Sequence, residues 1–194
     1  MRGFMSENEN RVRKEKDLKA LKEWMSGDRS KPFILEKKDR DYCVCYLLFQ
    51  SLAENLGLSL RCFITWFAEQ IPLSGMKIFL YRCAGAKIGK DVFISPGVVI
   101  DPIYPDLVEI EDGAVLGLGA MVLAHEYTAY DSRLGRVKIG ARSVIGARAT
   151  IRAGVSIGSR CTVGANSFVN KDVPDNTVVG GIPAKTIKTA VTEN

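Results

Sequence analysis

The chain of 194 residues contains one histidine, His125. An imidazole, with an ordinary pKa of about 6.5, is well suited to take a proton from a hydroxyl near neutral pH. Such a base is helped by a partner that orients its second nitrogen, a role that Glu126 or another acid could take, the plain alternative for Glu126 being a solvated carboxylate. A second acid, Asp101, lies in the segment Asp101-Pro102-Ile103-Tyr104-Pro105-Asp106, where Asp101 and Tyr104 could meet a polar ligand. A lone histidine is more often an ordinary side chain than a base, so its setting must decide. Metal chemistry finds no support: there are five cysteines, and Cys43-x-Cys45 lacks the two-residue spacer of common metal and redox pairs. The thiols read as reduced groups in a cytoplasmic protein.

Charge points to an anionic partner. The net charge is +5. Between Leu134 and Lys171 stand seven basic residues (Arg136, Lys138, Arg142, Arg148, Arg152, Arg160, Lys171) and no acid. In contrast, the first forty residues mix 12 Lys/Arg with 8 Asp/Glu, which suits a solvated helix face rather than a nucleic-acid patch.

The elements that position these groups show a change of period near residue 85. Aliphatic residues recur every six positions at Ile88, Ile94 and Ile100. After four extra residues they recur at Ile110, Leu116 and Val122, and after eleven more at Ile139, Ile145, Ile151, Ile157, Val163 and Val169. Neither a helix nor an alternating strand has this period, whereas a solenoid whose coils bury one another does. The aliphatic residue points inward. A glycine often follows it, as at 89, 117, 140, 146, 158 and 164, where it is expected to permit the corner. A small or β-branched residue comes four positions after most of the aliphatic ones; Tyr104, beside the first insertion, breaks that rule. Three short strands per turn predict a mainly β fold, a parallel β-helix of about four coils rising ~4.8 Å each. Arg142 and Arg160, 18 residues apart, then stack one coil above the other, and a bound anion would relieve their repulsion. The two interruptions must leave the coil as outward loops, and the longer one, 124–138, carries His125.

Residues 1–84 read as an α-helical extension. Leu18, Leu21, Trp24 and Met25 share one helix face, with Gly27 and Pro32 as stop signals. Two more apolar runs cover Tyr42–Leu58 and Leu60–Gln70. The stretch 56–81 is too broken to span a bilayer, but its apolar residues could pack on the coil, on a partner, or peripherally on a membrane. The polar start, Met1 to Glu23, has no signal-peptide core, so a cytoplasmic location is expected. The expected division is 1–84, 85–181 for the coil with its protruding loop, and 182–194 for a C-terminal tail.

The repeats, the motif Leu123-Ala124-His125-Glu126, and the closing run Val169-Asn170-Lys171-Asp172-Val173-Pro174 followed by Gly180-Gly181-Ile182-Pro183-Ala184-Lys185 resemble the hexapeptide-repeat acyltransferases, most of all the sugar O-acetyltransferase branch. The resemblance covers roughly residues 83–188. It implies a left-handed coil, an active site between two subunits of a homotrimer, and acetyl transfer from acetyl-CoA to a hydroxyl of a saccharide or related acceptor. His125 matches the family's catalytic base. Lys171, Lys185 and Lys188 match basic residues near the CoA phosphates; Ala147 and Ala165 match small residues along the pantetheine arm; Asn170, Arg142 and Arg160 complete the expected CoA footprint. The segment Trp24-Met25-Ser26-Gly27 resembles the helical cap of maltose and galactoside acetyltransferases. The Tyr-Asp pair that follows there is replaced by Ser30-Lys31, which argues against a free disaccharide acceptor.

Other users of this coil are excluded by residue type. A γ-class carbonic anhydrase needs three zinc-binding histidines. A sugar nucleotidyltransferase needs an α/β domain with a Gly-rich nucleotide loop, which residues 1–84 do not supply. A non-catalytic solenoid scaffold is the alternative, and it implies no CoA binding and no role for His125.

Overall fold

The computed structural model describes residues 7–29, 31–36, 52–128 and 131–189. Cys43, Cys45, Ser30 and the start of the run at Tyr42 fall outside them.

The six-residue repeat folds into a triangular prism of parallel strands. On the first face, Ile88, Ile110, Ile139 and Ile157 are successive register partners. On the second, Ile94, Leu116, Ile145, Val163 and Val179 stack in the same way. On the third, Ile100, Val122, Ile151 and Val169 do so. None of these thirteen side chains is more than 8% exposed. Four coils are therefore complete, as the spacing requires. Both insertions leave the prism at one corner, between the third face and the first, without shifting the ladder.

The glycine that follows the aliphatic residue does not make the corner. The left-handed backbone falls two positions later, at Asp91, Gly97, Gly113, Gly119, Arg142, Arg148, Gly154, Arg160, Asn166 and Asn176, with φ between 53° and 81°. The earlier glycine serves coil-to-coil contact instead. A Cβ on Gly140 would stand 2.5 Å from the backbone of Gly158, and one on Gly146 would stand 2.5 Å from Ala165.

The extension comprises α1 (Glu7–Ser26), α2 (Leu52–Gln70) and α3 (Ser74–Ala84). Leu21 of α1 is fully buried, and Leu18, Trp24 and Met25 pack beside it, as the helical spacing predicts. The extension is not wholly helical. Phe33–Glu36 is a strand that pairs antiparallel with Asp131–Leu134, which in turn pairs with His125–Tyr127. The long loop is thus a hairpin, widened to three strands by the N-terminal segment.

Helices α2 and α3 cover the first coil and satisfy its unpaired backbone groups. Arg82 donates to the Ile88 and Gly89 carbonyls, Tyr81 to Val98, and Lys77 to Glu69 and Ser95. The Ile94 N–H donates to Ser74 Oγ, and the Gly97 N–H to the Glu69 carbonyl. Lys77 is fully buried in this role, and burial holds its ammonium below the usual lysine pKa. At the other end, Ala184–Thr189 is a strand antiparallel to Thr177–Gly181, so this part of the expected tail belongs to the second face.

Candidate active site

The ladder places Asp101 beside the start of the second insertion. Ile100 pairs with Val122, and the Asp101 N–H continues the ladder onto the Val122 carbonyl at 2.9 Å. The Asp101 side chain then turns inward and is fully buried. Its Oδ1 accepts from the N–H groups of Ile103 (3.0 Å) and Tyr104 (2.9 Å). Its Oδ2 accepts from the N–H groups of Ala124 (2.7 Å) and His125 (2.9 Å), and lies 2.6 Å from His125 Nδ1.

One carboxylate therefore fastens both insertions and holds the histidine ring. Burial alone would raise the Asp101 pKa. The His125 hydrogen bond and charge, with the N–H groups of Tyr104 and Ala124, outweigh it and hold the carboxyl below its ordinary value. An ionised carboxylate only accepts, so Nδ1 carries the proton and Nε2 of a neutral ring keeps its lone pair. The His125 side chain remains 19% exposed. The Tyr104 ring meets it edge-on, with centroids 5.8 Å apart.

Three expected roles change as a result. Asp101 does not face an acceptor hydroxyl, because it is buried and both oxygens are taken. Tyr104 is 1% exposed and packs against the His125 ring rather than lining a ligand surface. Glu126 does not orient the ring. It lies opposite Arg133 across the hairpin, and its Oε1 accepts from Arg152 Nε at 2.7 Å, with Arg133 Nε 3.3 Å away. It clamps the hairpin to the third face of the coil. The sequence gives no sign of the role of Arg133 and marks Arg152 only as one of seven basic residues facing an anionic partner, since cross-strand pairing is invisible until the hairpin is known.

The expected CoA residues occupy all three corners of the prism. Arg142 and Arg160 are exposed one coil apart at the corner between the first and second faces, where Arg160 Nε donates to Asn176 Oδ1 at 2.6 Å. Ala147 and Ala165 stack at the next corner, where the Asn166 N–H donates to the Ala147 carbonyl. Asn170 and Lys171 follow the third face, one coil beyond Arg152. Lys185 and Lys188 lie exposed on the closing strand, opposite Gly180 and Val178. One chain does not gather these groups around His125.

On the insertion corner, a polar cleft of about 480 Å³ is lined by Gly27, Arg29, Gly85, Lys87, Asp106 and Arg136, among others. Asp106 forms ion pairs there with Arg29 (3.5 Å) and Arg61 (3.8 Å). Cys62 Sγ donates to the Pro102 carbonyl at 3.7 Å. Its thiol is raised by burial and by the nearby Asp101 charge, which keeps it from acting as a thiolate. Among the described residues, no group of three or more His, Cys, Asp or Glu could hold a metal ion.

Comparison with known proteins gives this geometry a family. Residues 136–171 match the family model "Hexapeptide repeat of succinyl-transferase". YvoF of Bacillus subtilis (strain 168), a protein named as an acetyltransferase, is 39% identical over 123 residues, which is 63% of this chain and 72% of YvoF. The chain belongs to the hexapeptide-repeat acetyltransferases. As in that family, its coil is a left-handed parallel β-helix. This acetyltransferase is also 27% identical over 158 residues to WbbJ of Escherichia coli (strain K12), covering 72% of the chain and 69% of WbbJ. WbbJ is named for O-acetyl transfer in lipopolysaccharide biosynthesis. Among solved structures, the hexapeptide-repeat acetyltransferase VCA0836 of Vibrio cholerae O1 biovar eltor, complexed with acetyl-CoA, shares the fold. Its TM-score is 0.60 at 23% identity, covering 72% of this chain and 90% of that one.

Proposed function

We propose that this acetyltransferase moves an acetyl group from acetyl-CoA to a hydroxyl of a saccharide or related acceptor, with His125 as general base. The observation that carries the reading is the buried Asp101 carboxylate on His125 Nδ1, which fixes the tautomer whose Nε2 can accept a proton. The acceptor oxygen attacks the thioester carbonyl as Nε2 takes its proton. The imidazolium that forms is stabilised by Asp101. Collapse of the tetrahedral intermediate breaks the C–S bond, and the CoA thiolate recovers the proton from His125. The name of WbbJ supports a saccharide acceptor, and the VCA0836 complex supports acetyl-CoA as co-substrate.

The reading includes a homotrimer. The candidate CoA residues Arg142, Ala147, Arg160, Ala165, Asn170, Lys171, Lys185 and Lys188 are dispersed around one chain, so a neighbour's corner would present CoA to His125. Exposed Phe93, Val144 and Met121 on the outer faces, and Leu118 at a corner, are apolar enough for subunit contact. A cytoplasmic setting agrees with Cys62, Cys83 and Cys161, all of them free.

The test is thioester cleavage with acetyl-CoA and a panel of saccharides. His125→Ala should lower turnover by about 10²–10⁴-fold while the fold is kept. Wild-type turnover in that variant would overturn the base assignment. A wild-type protein that neither binds CoA nor cleaves acetyl-CoA would overturn the whole reading.

A further inference from the structure

The hairpin that carries His125 is held from the coil by Asp101 and by the ion pair of Glu126 with Arg152. Its far edge has a third hold that the proposed reaction does not use. There Asp131–Leu134 pairs with Phe33–Glu36, a strand from the N-terminal extension.

The register of the three strands draws one row through the histidine. Leu134 is the partner of His125 on one side and of Phe33 on the other. Residues directly opposite one another project to the same face, with Cβ atoms about 4.5–5.5 Å apart. His125, Leu134 and Phe33 therefore share a face, the one on which Leu134 is 1% exposed and Phe33 packs at the edge of the core. Ile34, the next residue, takes the other face and is 44% exposed.

The N-terminal strand is itself anchored to the coil and to α1. The Gly135 N–H donates to the Ala124 carbonyl at 2.8 Å, where the hairpin returns to the coil. A Cβ on Gly135 would stand 2.6 Å from Gly154, one coil further at the same corner, and 2.8 Å from Pro32. A Cβ on Gly154 would also stand 2.8 Å from Pro32. The two glycines leave a notch at the base of the hairpin, and the proline ring fills it. Behind Phe33 lies the Trp24 ring of α1, with centroids 6.1 Å apart. Trp24 Nε1 donates to the Lys31 carbonyl at 2.9 Å, just before the strand begins.

We propose that Phe33 and Pro32 are positioning residues for His125, through which the N-terminal strand sets the hairpin, and with it the imidazole, against Asp101. The proposal rests on the reading of His125 as the base. A catalytic ring is held within a fraction of an ångström only when the element that bears it is locked by packing on every side. A displacement of about 1 Å can lower a rate about 10²-fold. Phe33 acts through Leu134, and Pro32 through the base of the hairpin, so neither needs to touch a substrate.

His125 is the one histidine of the chain, so its ring can be read alone. The test is NMR of the full chain, isotope-labelled at the histidine nitrogens, at about pH 8, above the ordinary imidazole pKa of about 6.5. The wild type should show the ring protonated at Nδ1. Phe33→Ala should show exchange between the two tautomers, and its kcat should fall about tenfold while the KM for acetyl-CoA stays within about twofold. Phe33→Leu should restore most of both, and Ile34→Ala, on the other face of the same strand, should alter neither. Pro32→Ala should move both in the direction of Phe33→Ala, and it decides the matter if the unfolding midpoint shows that Phe33→Ala does not fold. An Nδ1-protonated ring or a wild-type kcat in the folded variants would overturn the proposal. So would an Ile34→Ala as damaging as Phe33→Ala, because the strand would then act through stability alone. Wild-type turnover in His125→Ala would overturn the base assignment instead, and the ring spectrum would still decide whether the strand seats the imidazole.

Discussion

Asp101 Oδ2 stands 2.6 Å from His125 Nδ1, although 24 residues separate them in the chain. The distance follows from register. Ile100 and Val122 are paired on the third face, so the residues that leave the coil after each of them start side by side. An inward carboxylate at the first exit can then reach backbone and ring at the second.

Asp101→Asn should damage both stability and activity. An amide can keep one acceptor oxygen, but its NH₂ group would face N–H donors. Leaving such groups unpaired costs about 1–3 kcal/mol, read as a lower urea midpoint. Turnover should fall by about 10²-fold, because the histidine loses the partner that fixes its tautomer. A variant with wild-type values for both would show that the contact has neither role.

The same contact sets an acid limit. The folded-state pKa of Asp101 lies below its unfolded value of about 3.9. Its stabilisation is therefore complete above that unfolded value and is lost as pH falls through the folded one. Unfolding midpoints followed from neutral pH down through the carboxylate range should fall more steeply for wild type than for Asp101→Asn. Parallel curves would contradict the assignment.

Glu126→Gln separates anchoring from ring orientation. Glu126 and Arg152 are partly exposed, so loss of the ion pair should cost no more than about 1 kcal/mol. The pH dependence of turnover should keep its wild-type shape, because Glu126 does not touch the ring. A shifted profile would return Glu126 to the role that sequence suggested for it.

The close-contact glycines and the left-handed corner residues should respond oppositely. Gly140→Ala drives a Cβ into the next coil and should cost about 1–3 kcal/mol in thermal or urea unfolding. Arg148→Asn keeps the left-handed backbone, φ 56°, with a residue that tolerates it, and should gain up to about 1 kcal/mol. A harmless Gly140→Ala would mean that the coils can separate at little cost.

The coil was legible because a six-residue period admits few physical explanations. The sequence also located the histidine and the corner that bears it. It misplaced the partners. In sequence Asp101 looks ligand-facing, although the Ile100–Val122 register already implies that it emerges beside Leu123. Glu126 was favoured by adjacency, yet consecutive strand residues point to opposite sides. The strand Phe33–Glu36 escaped notice because its partner at Asp131–Leu134 is far along the chain, and four residues carry no periodicity of their own. Lys77 gave no signal either: nothing local distinguishes a lysine that caps a buried edge from one in water.

That edge has a consequence for the molecule in a crowded cell. A stack of parallel strands is a growth template, able in principle to recruit another stack onto either end and lengthen into a filament. Here Arg82, Tyr81 and Lys77 occupy carbonyls of the first coil, and an antiparallel strand seals the second face at the last. On these edges the hydrogen bonds that would splice one enzyme onto another are already spent within the chain.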